Sequence, residues 1–200
     1  MDKQKRRIAV FGAGGHGKVV IDAIERQPML SVACVADDRP RADARLLGHA
    51  VIGDREALLA RRAEFDALIV AIGYNRAREE VAGWFAGQGM PLAVVVHPAA
   101  TVAPSAIVGE GTLVMPGAVV NADARLGANV IVNTGAIVEH DCVVGDCVHV
   151  APRALLCGGA SIGAGCLVGA GAVVLPGVKI GPRLLVKAGT TVARDMESGA

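Results

Sequence analysis

From Val96 onward every sixth residue is Val, Leu or Ile, at 96, 102, 108 and so on through 180, 186 and 192. With about half of residues apolar by base rate, seventeen successive hits arise by chance on the order of once in 10⁵. Two places before each branched residue sits a mostly small or β-branched one, such as Ala106, Thr112, Ala118, Ala136, Cys142, Ala160, Cys166 and Ala172. Gly often follows the branched residue, as at 109, 127, 145, 163, 169 and 181. Such a beat predicts a solenoid of short parallel strands, in which the branched residue points inward and stacks on its equivalents in neighbouring coils. The small residue leaves room at the corner, and Gly is expected to supply turn dihedrals that other residues avoid.

A narrow interior also accounts for a break in composition. All five aromatic residues (Phe11, Phe65, Tyr74, Trp84, Phe85) precede position 86, and Lys and Arg number fourteen before position 96 and six after it. The shift places a boundary near 92–97 and predicts two domains, 1–95 and 96–200. Residues 154–178 carry no charge and are long enough to span a bilayer. Their seven glycines, Pro176 and the unbroken beat assign them to the solenoid instead. A formal charge of +1 leaves no broad field for nucleic acid or an anionic membrane. The opening Asp2-Lys3-Gln4-Lys5-Arg6-Arg7 has no apolar signal core, so a cytoplasmic protein is expected. Five cysteines (34, 142, 147, 157, 166) without a C-x-x-C pair read as small buried thiols of a reducing compartment.

The first half alternates strands and helices. Ile8–Phe11, Val32–Ala36, Ala67–Ile72 and Leu92–Val96 are expected strands, and helices are expected from the glycine turn to about Gln27, over 54–63 and over 75–88. Alternation of this kind implies a parallel sheet covered by helices. Gly12, Gly14 and Gly17 spell G-x-G-x-x-G after the first strand, where backbone N–H groups and a helix N-terminus can approach phosphate. Asp37-Asp38 ends the second strand about twenty residues after the loop, where an acid can bind ribose. The complete dinucleotide fold carries about six strands. Four strands suit one nucleotide better than NAD, so an oxidoreductase is the weaker reading.

The repeat [LIV]-G-x-x-[small]-x resembles the hexapeptide acyltransferases, whose domains are left-handed parallel β-helices with three hexads per triangular coil. The wider layout is more specific: G-A-G-G-H-G at 12–17, Asp37-Asp38, Ala71-Ile72-Gly73-Tyr74-Asn75, and "NTGAIVEHDCVVGDCVHV" over 133–150. Together these resemble the bacterial nucleotide-sugar N-acetyltransferases of bacillosamine and perosamine synthesis, and the related sialic-acid O-acetyltransferases. The resemblance implies a Rossmann-like half domain joined to a left-handed β-helix, and a homotrimer with sites between neighbouring solenoids. It also implies acetyl-CoA as cosubstrate and a UDP- or GDP-linked 4-amino-deoxy sugar as acceptor. Family members usually continue with a G-V-P-A-like tail that helps enclose coenzyme A. Here the sequence reads "ARDMESGA" over 193–200, which leaves the adenine-end contacts unassigned.

An amine attacking a thioester must be unprotonated and must shed a proton, work suited to a histidine near neutral pKa. His140, two places past the inward Val138, is expected on the outer surface. The resemblance makes it the catalytic base, with Asp141 raising its basicity. It likewise implies that His149, Gly158 and Ala170 line the acetyl-CoA path. The sugar nucleotide would meet Gly14, Gly15, His16, Asp37, Asp38, Gly73 and Asn133. The run H-x-C-x₄-C-x-H (140–149) invites a zinc reading, but Cys142 falls on the inward beat while His140 and His149 occupy other phases, so no metal is expected. An inward Cys142 is also inert as an acyl carrier. Two rival functions are an O-acetyltransferase of a sialic acid or related sugar, and a non-catalytic scaffold that binds sugar nucleotides.

Overall fold

The structure, a computed structural model, describes residues 5–40 and 44–197. Part of the charged lead-in and the last three residues of the C-terminal segment therefore lie outside the described residues. β1 (Arg6–Phe11) is the centre of a three-stranded parallel sheet, flanked by β2 (Leu30–Ala36) and β5 (Ala67–Val70). Between β1 and β2 runs α1 (Gly15–Glu25), whose Val20, Ile21, Ala23 and Ile24 are buried at helical spacing. Two short elements, β3 (Arg45–Leu46) and β4 (His49–Ala50), form an antiparallel hairpin, and α2 (Arg55–Ala60) follows, capped by the Asp54 carboxylate on Ala57 N–H at 2.9 Å. α3 (Asn75–Gly87) packs Val81, Ala82 and Phe85 against the other face of the sheet.

The fourth expected strand is not a sheet strand of this domain. Leu92 makes one isolated bridge to Leu68, and Val95–Val96 (β6) leaves to become the first strand of the solenoid. Pro91, which has no N–H to donate, precedes that single bridge, and the chain turns away after two residues.

β6 to β22 (Thr191–Val192) are seventeen two-residue strands that recur every six residues, each ending on the branched residue of the beat. Each of the first fourteen pairs in parallel with the strand eighteen residues on, as Val120 with Val138 and Val138 with Leu156, and together the seventeen build three faces of six, five and six strands. That is between five and six triangular coils. The branched residues from Val114 to Val186 and the small ones between them, Cys142 and Cys166 included, form one buried column.

The glycines after the branched residues are required for a different reason from the expected one. At Gly109, Gly127, Gly145, Gly163 and Gly169 φ is not in the left-handed region; a Cβ there would lie 2.3–2.7 Å from the next coil. Close stacking of corners excludes the side chain. From Val108 to Val186 the left-handed residue is the third after each branched one, and it is often not glycine: Asp123, Asn129, Asp141, Cys147, Arg153 and Arg183 all have φ of 55–60°.

The first domain sits on the face built from β6, β9 (Leu113–Val114), β12 (Ile131–Val132), β15 (His149–Val150), β18 (Leu167–Val168) and β21 (Leu185–Val186). Ile21 and Ile24 of α1 share a buried cluster with Val95, Leu113, Met115 and Ile131, so one core crosses the domain boundary.

Candidate active site

His140 occupies the corner between β13 (Ile137–Val138) and β14 (Val143–Val144). Two backbone bonds fix that corner to both neighbouring coils: Asp141 N–H donates to Ala122 C=O at 3.1 Å, and Gly159 N–H donates to His140 C=O at 2.9 Å. Asp141 takes the left-handed turn position at φ 60°, a conformation Asp tolerates better than most residues. Its carboxylate folds back onto the preceding ring, and His140 Nδ1–H donates to Asp141 Oδ2 at 2.8 Å. Nε2 is left as the lone-pair nitrogen. The ring is 64% exposed, so it is free to meet a second molecule. The hydrogen bond to Asp141 holds the imidazole pKa above its ordinary value, with the Asp141 and Glu139 charges adding to it and slight burial opposing. Glu139 is itself held by the Asn121 amide at 2.8 Å.

One coil further on, Gly158 lies against the His140 ring. A Cβ at Gly158 would fall 2.6 Å from His140 Cε1 and 2.7 Å from Nε2. The bare backbone at 158 is therefore a seat for the imidazole. Gly158→Ala is expected to displace the ring and, on the base role that the resemblance implies for His140, to cut turnover at least about tenfold, with a change in thermal midpoint under about 2 °C, because the added methyl meets a side chain at the surface rather than the core. Melting curves and initial rates on the same preparation check this.

A second cluster gathers on the face that carries the first domain. His149, on β15, is half-buried. Its Nδ1–H donates to Gly73 C=O at 3.1 Å, and its Nε2 accepts from Asn133 Nδ2 at 2.9 Å. Burial and the nearby Arg78 charge lower its pKa to about 4, against the opposing hydrogen bond to Gly73. His16, from the start of α1, brings its ring to 6.5 Å from that of His149. Its Nε2 is buried without a hydrogen-bond partner, and burial, with the His149 and Arg78 charges adding, lowers its pKa to about 4. Gly73 and Asn75 border a cleft of about 870 Å³, walled on the solenoid side by Leu167 and Leu185.

The glycine loop forms the floor of a separate cleft of about 400 Å³, lined by Gly14, Gly15, Lys18, Asp37, Arg39 and Arg45. Gly17 must lack a side chain, since its Cβ would lie 2.2 Å from Gly12 C=O, while Gly14 and Gly15 face open space. Asp37 accepts from Ala13 N–H at 2.7 Å and from Arg39 N–H at 2.9 Å, so it shapes the loop as well as lining it. Asp38 does not line the cleft. Arg55 engages both its oxygens and holds the carboxyl below the usual range.

Sequence models with matching descriptions cover both parts: the PglD N-terminal domain over residues 7–85, the hexapeptide repeat of succinyl-transferase over 117–146, and the bacterial transferase hexapeptide (six repeats) over 159–194. The acetyltransferase domain of PglB from Neisseria gonorrhoeae superposes with a TM-score of 0.89 at 37% identity, over 96% of this chain and 93% of that one. The chain belongs to the hexapeptide-repeat sugar acetyltransferases. PerB of Caulobacter crescentus, solved with CoA and GDP-perosamine, is another member, similar at 41% identity and a TM-score of 0.89 over 96% of this chain and 91% of that one. The UDP-N-acetylbacillosamine N-acetyltransferase of Bacillus subtilis is 38% identical over 111 residues, 55% of this chain. The match spans about half the length of that curated relative (51%).

Within this hexapeptide-repeat chain the expected site residues fall into three groups. His140, Asp141 and Gly158 share one corner of the prism; His149, Asn133, His16 and Gly73 lie on and beside the domain-bearing face; Gly14, Gly15 and Asp37 line the loop cleft. Ala170 is exposed at the turn after β18, on the coil above His149. Cys142 faces the column and donates its S–H to Cys157 C=O at 3.2 Å, opposite in direction to the outward His140. Arg78 carries no signal in the motifs quoted above, and Asn75 stands in one of them without an assigned role. Asn75 Nδ2 donates to Gly165 and Cys166 C=O, and its Oδ1 accepts from Arg78, which is 0% exposed. The helix period held a signal for Arg78: positions 78, 81, 82 and 85 make one face, and three of the four are apolar.

Proposed function

We propose that this protein transfers an acetyl group from acetyl-CoA to the amino group of a UDP- or GDP-linked 4-amino-deoxy sugar, with His140 as general base. The observation that carries the reading is the His140 imidazole: exposed, tied at Nδ1 to Asp141, seated on Gly158 and free at Nε2. The amine nitrogen attacks the thioester carbonyl, a C–N bond forms and the C–S bond breaks. Nε2 takes the proton released by the amine and can return it to the departing thiolate. Asp141 stabilises the imidazolium formed between those two transfers.

The glycine-loop cleft suits a diphosphate, with backbone N–H groups at the start of α1 and the Lys18 ammonium beside it. In one chain the face of β7 (Thr101–Val102), β10 (Val119–Val120), β13, β16 (Leu155–Leu156), β19 (Val173–Val174) and β22 lies between the His140 corner and the Asn133 corner. A second solenoid set against the first would unite the two sets of residues, which is compatible with the homotrimer with shared sites that the family resemblance implies. Ile107 and Val143, each about half exposed on one outer face, offer apolar surface for such contact. No helix among the described residues is long and apolar enough to cross a membrane.

The test presents amine and hydroxyl sugar acceptors side by side with acetyl-CoA and follows free thiol release. Turnover with a nucleotide-linked amine and not with its hydroxyl counterpart supports the reading. Turnover with a free hydroxy sugar assigns O-acetylation, and thiol release with neither, despite binding of the sugar nucleotide, assigns a scaffold.

A further inference from the structure

Arg78 carries a full positive charge into the domain junction and meets no carboxylate there among the described residues. Its guanidinium has five N–H donors, and six neutral oxygens surround them, the most distant being Val148 C=O at 3.4 Å from Nη2. Nε donates to Asn129 C=O at 2.9 Å, Nη1 to Ile72 and Gly73 C=O at 3.0 and 3.2 Å, and Nη2 to Asn75 Oδ1 and Cys147 C=O at 2.9 and 2.8 Å. Glu79, the adjacent acid, is engaged by both Nη groups of Arg183 instead. Taking a charge out of water without an opposite charge is unfavourable, and burial lowers this arginine's pKa to about 10.

The cage has a consequence beyond holding two domains together. Gly73 C=O accepts from Arg78 and also from His149 Nδ1–H. A carbonyl cannot donate, so His149 must carry its proton on Nδ1, and Nε2 must accept. The partner of Nε2 is Asn133 Nδ2, and Asn133 Oδ1 accepts in turn from Thr134 N–H at 2.8 Å. Every hydrogen bond from the guanidinium to Asn133 therefore has its direction set. The Asn133 amide is left with one N–H to offer outward, a group that recognises an oxygen acceptor.

We propose that Arg78 is a positioning residue: through the Gly73 carbonyl it holds His149 in the neutral Nδ1–H form, and so fixes Asn133 as a hydrogen-bond donor to an oxygen of the bound acceptor. The titratable groups facing His149 are His16 from α1 and Arg78 from α3, with Cys147 against the same guanidinium. Neither histidine is paired with a carboxylate. Protonation of His149 would end its bond from Asn133 and place a cation beside Arg78, which that charge opposes.

The role of Asn133 toward an acceptor rests on the acetyl-transfer reading; the state of His149 does not. The ¹⁵N and ring ¹H signals of His149 report its tautomer and charge without any substrate. In the wild-type chain we expect the Nδ1–H tautomer, uncharged at pH 6. In Arg78→Met we expect His149 to titrate at least about one unit higher in the same ring signals, and KM for the acceptor to rise. Arg78→Lys keeps the charge but not the planar fork, so its pH profile is expected to match wild type while KM for the acceptor rises. The proposal is overturned if wild-type His149 is the Nε2–H tautomer or charged at pH 6, or if its titration is the same in both variants. Should Arg78→Met fail to fold, the wild-type tautomer and Arg78→Lys decide. Absence of acetyl transfer in the wild type would overturn the proposed function and leave the His149 measurement standing.

Discussion

His140→Ala is expected to lower kcat by about 10²- to 10⁴-fold, the range that a positioned general base supplies, while the melting temperature stays within about 2 °C. The two outcomes separate because the ring is mostly exposed and packs on a glycine rather than in the column. KM for either substrate should change little, since in the proposed mechanism the imidazole serves the proton and not the grip. The pH profile carries the same signature. A base works only when unprotonated, so activity falls as pH drops through the His140 pKa, which Asp141 holds above the ordinary value. Asp141→Asn removes that support and should move the acidic limb to lower pH while reducing the rate above it, because the ring loses both its orientation and its stabilising charge. Stopped-flow thiol release over pH 5–9 measures both. A His140→Ala rate within threefold of wild type would remove the imidazole from the mechanism.

Leu156→Ala is the largest expected loss of stability. Leu156 is 0% exposed in the column, stacked between Val138 on one coil and Val174 on the next. Truncating a buried leucine costs about 2–5 kcal/mol, depending on how far the surroundings collapse. Rigid coils held on both sides collapse little, which argues for the upper part of that range. For a chain of this length the shift in melting temperature is roughly 5–15 °C. Val19→Ala, at an exposed position of α1, is the control and should move the midpoint by no more than about 2 °C. Calorimetry on the pair is decisive: equal shifts would mean that the inward column is not where the solenoid stores its stability. The His140 corner sits on the coil next to Leu156, so some activity should be lost with the packing.

The solenoid was legible in the sequence because its period is set by one repeated physical demand. Each coil must present three branched side chains to the same axis, and every strand from Val95–Val96 to Thr191–Val192 falls on that beat. The inward thiol of Cys142 and the outward ring of His140 follow from phase alone. The glycines after the branched residues were visible too, yet their cause was not, because contact between coils is invisible to a reading of single turns. The β3–β4 hairpin was missed for a local reason: Leu47 adopts φ 48° before Gly48 at φ 87°, and leucine in the left-handed region carries no turn signal. Arg78 was missed because charge normally marks a solvated face. Its burial depends in part on the carbonyls of Asn129 and Cys147, fifty-one and sixty-nine residues away, which no local reading brings near it.

The eighteen-residue repeat makes the spacing between His140 and Gly158 a matter of arithmetic. Deleting one residue between them would rotate every later side chain by one station around the axis, sending core leucines outward and withdrawing the imidazole's seat. Loss of a whole turn beyond the last working coil would leave that alignment untouched. Sequence change in such a chain is thus quantised: point substitutions are weighed one by one, but length can vary only in full circuits or in bulges thrown out at the corners.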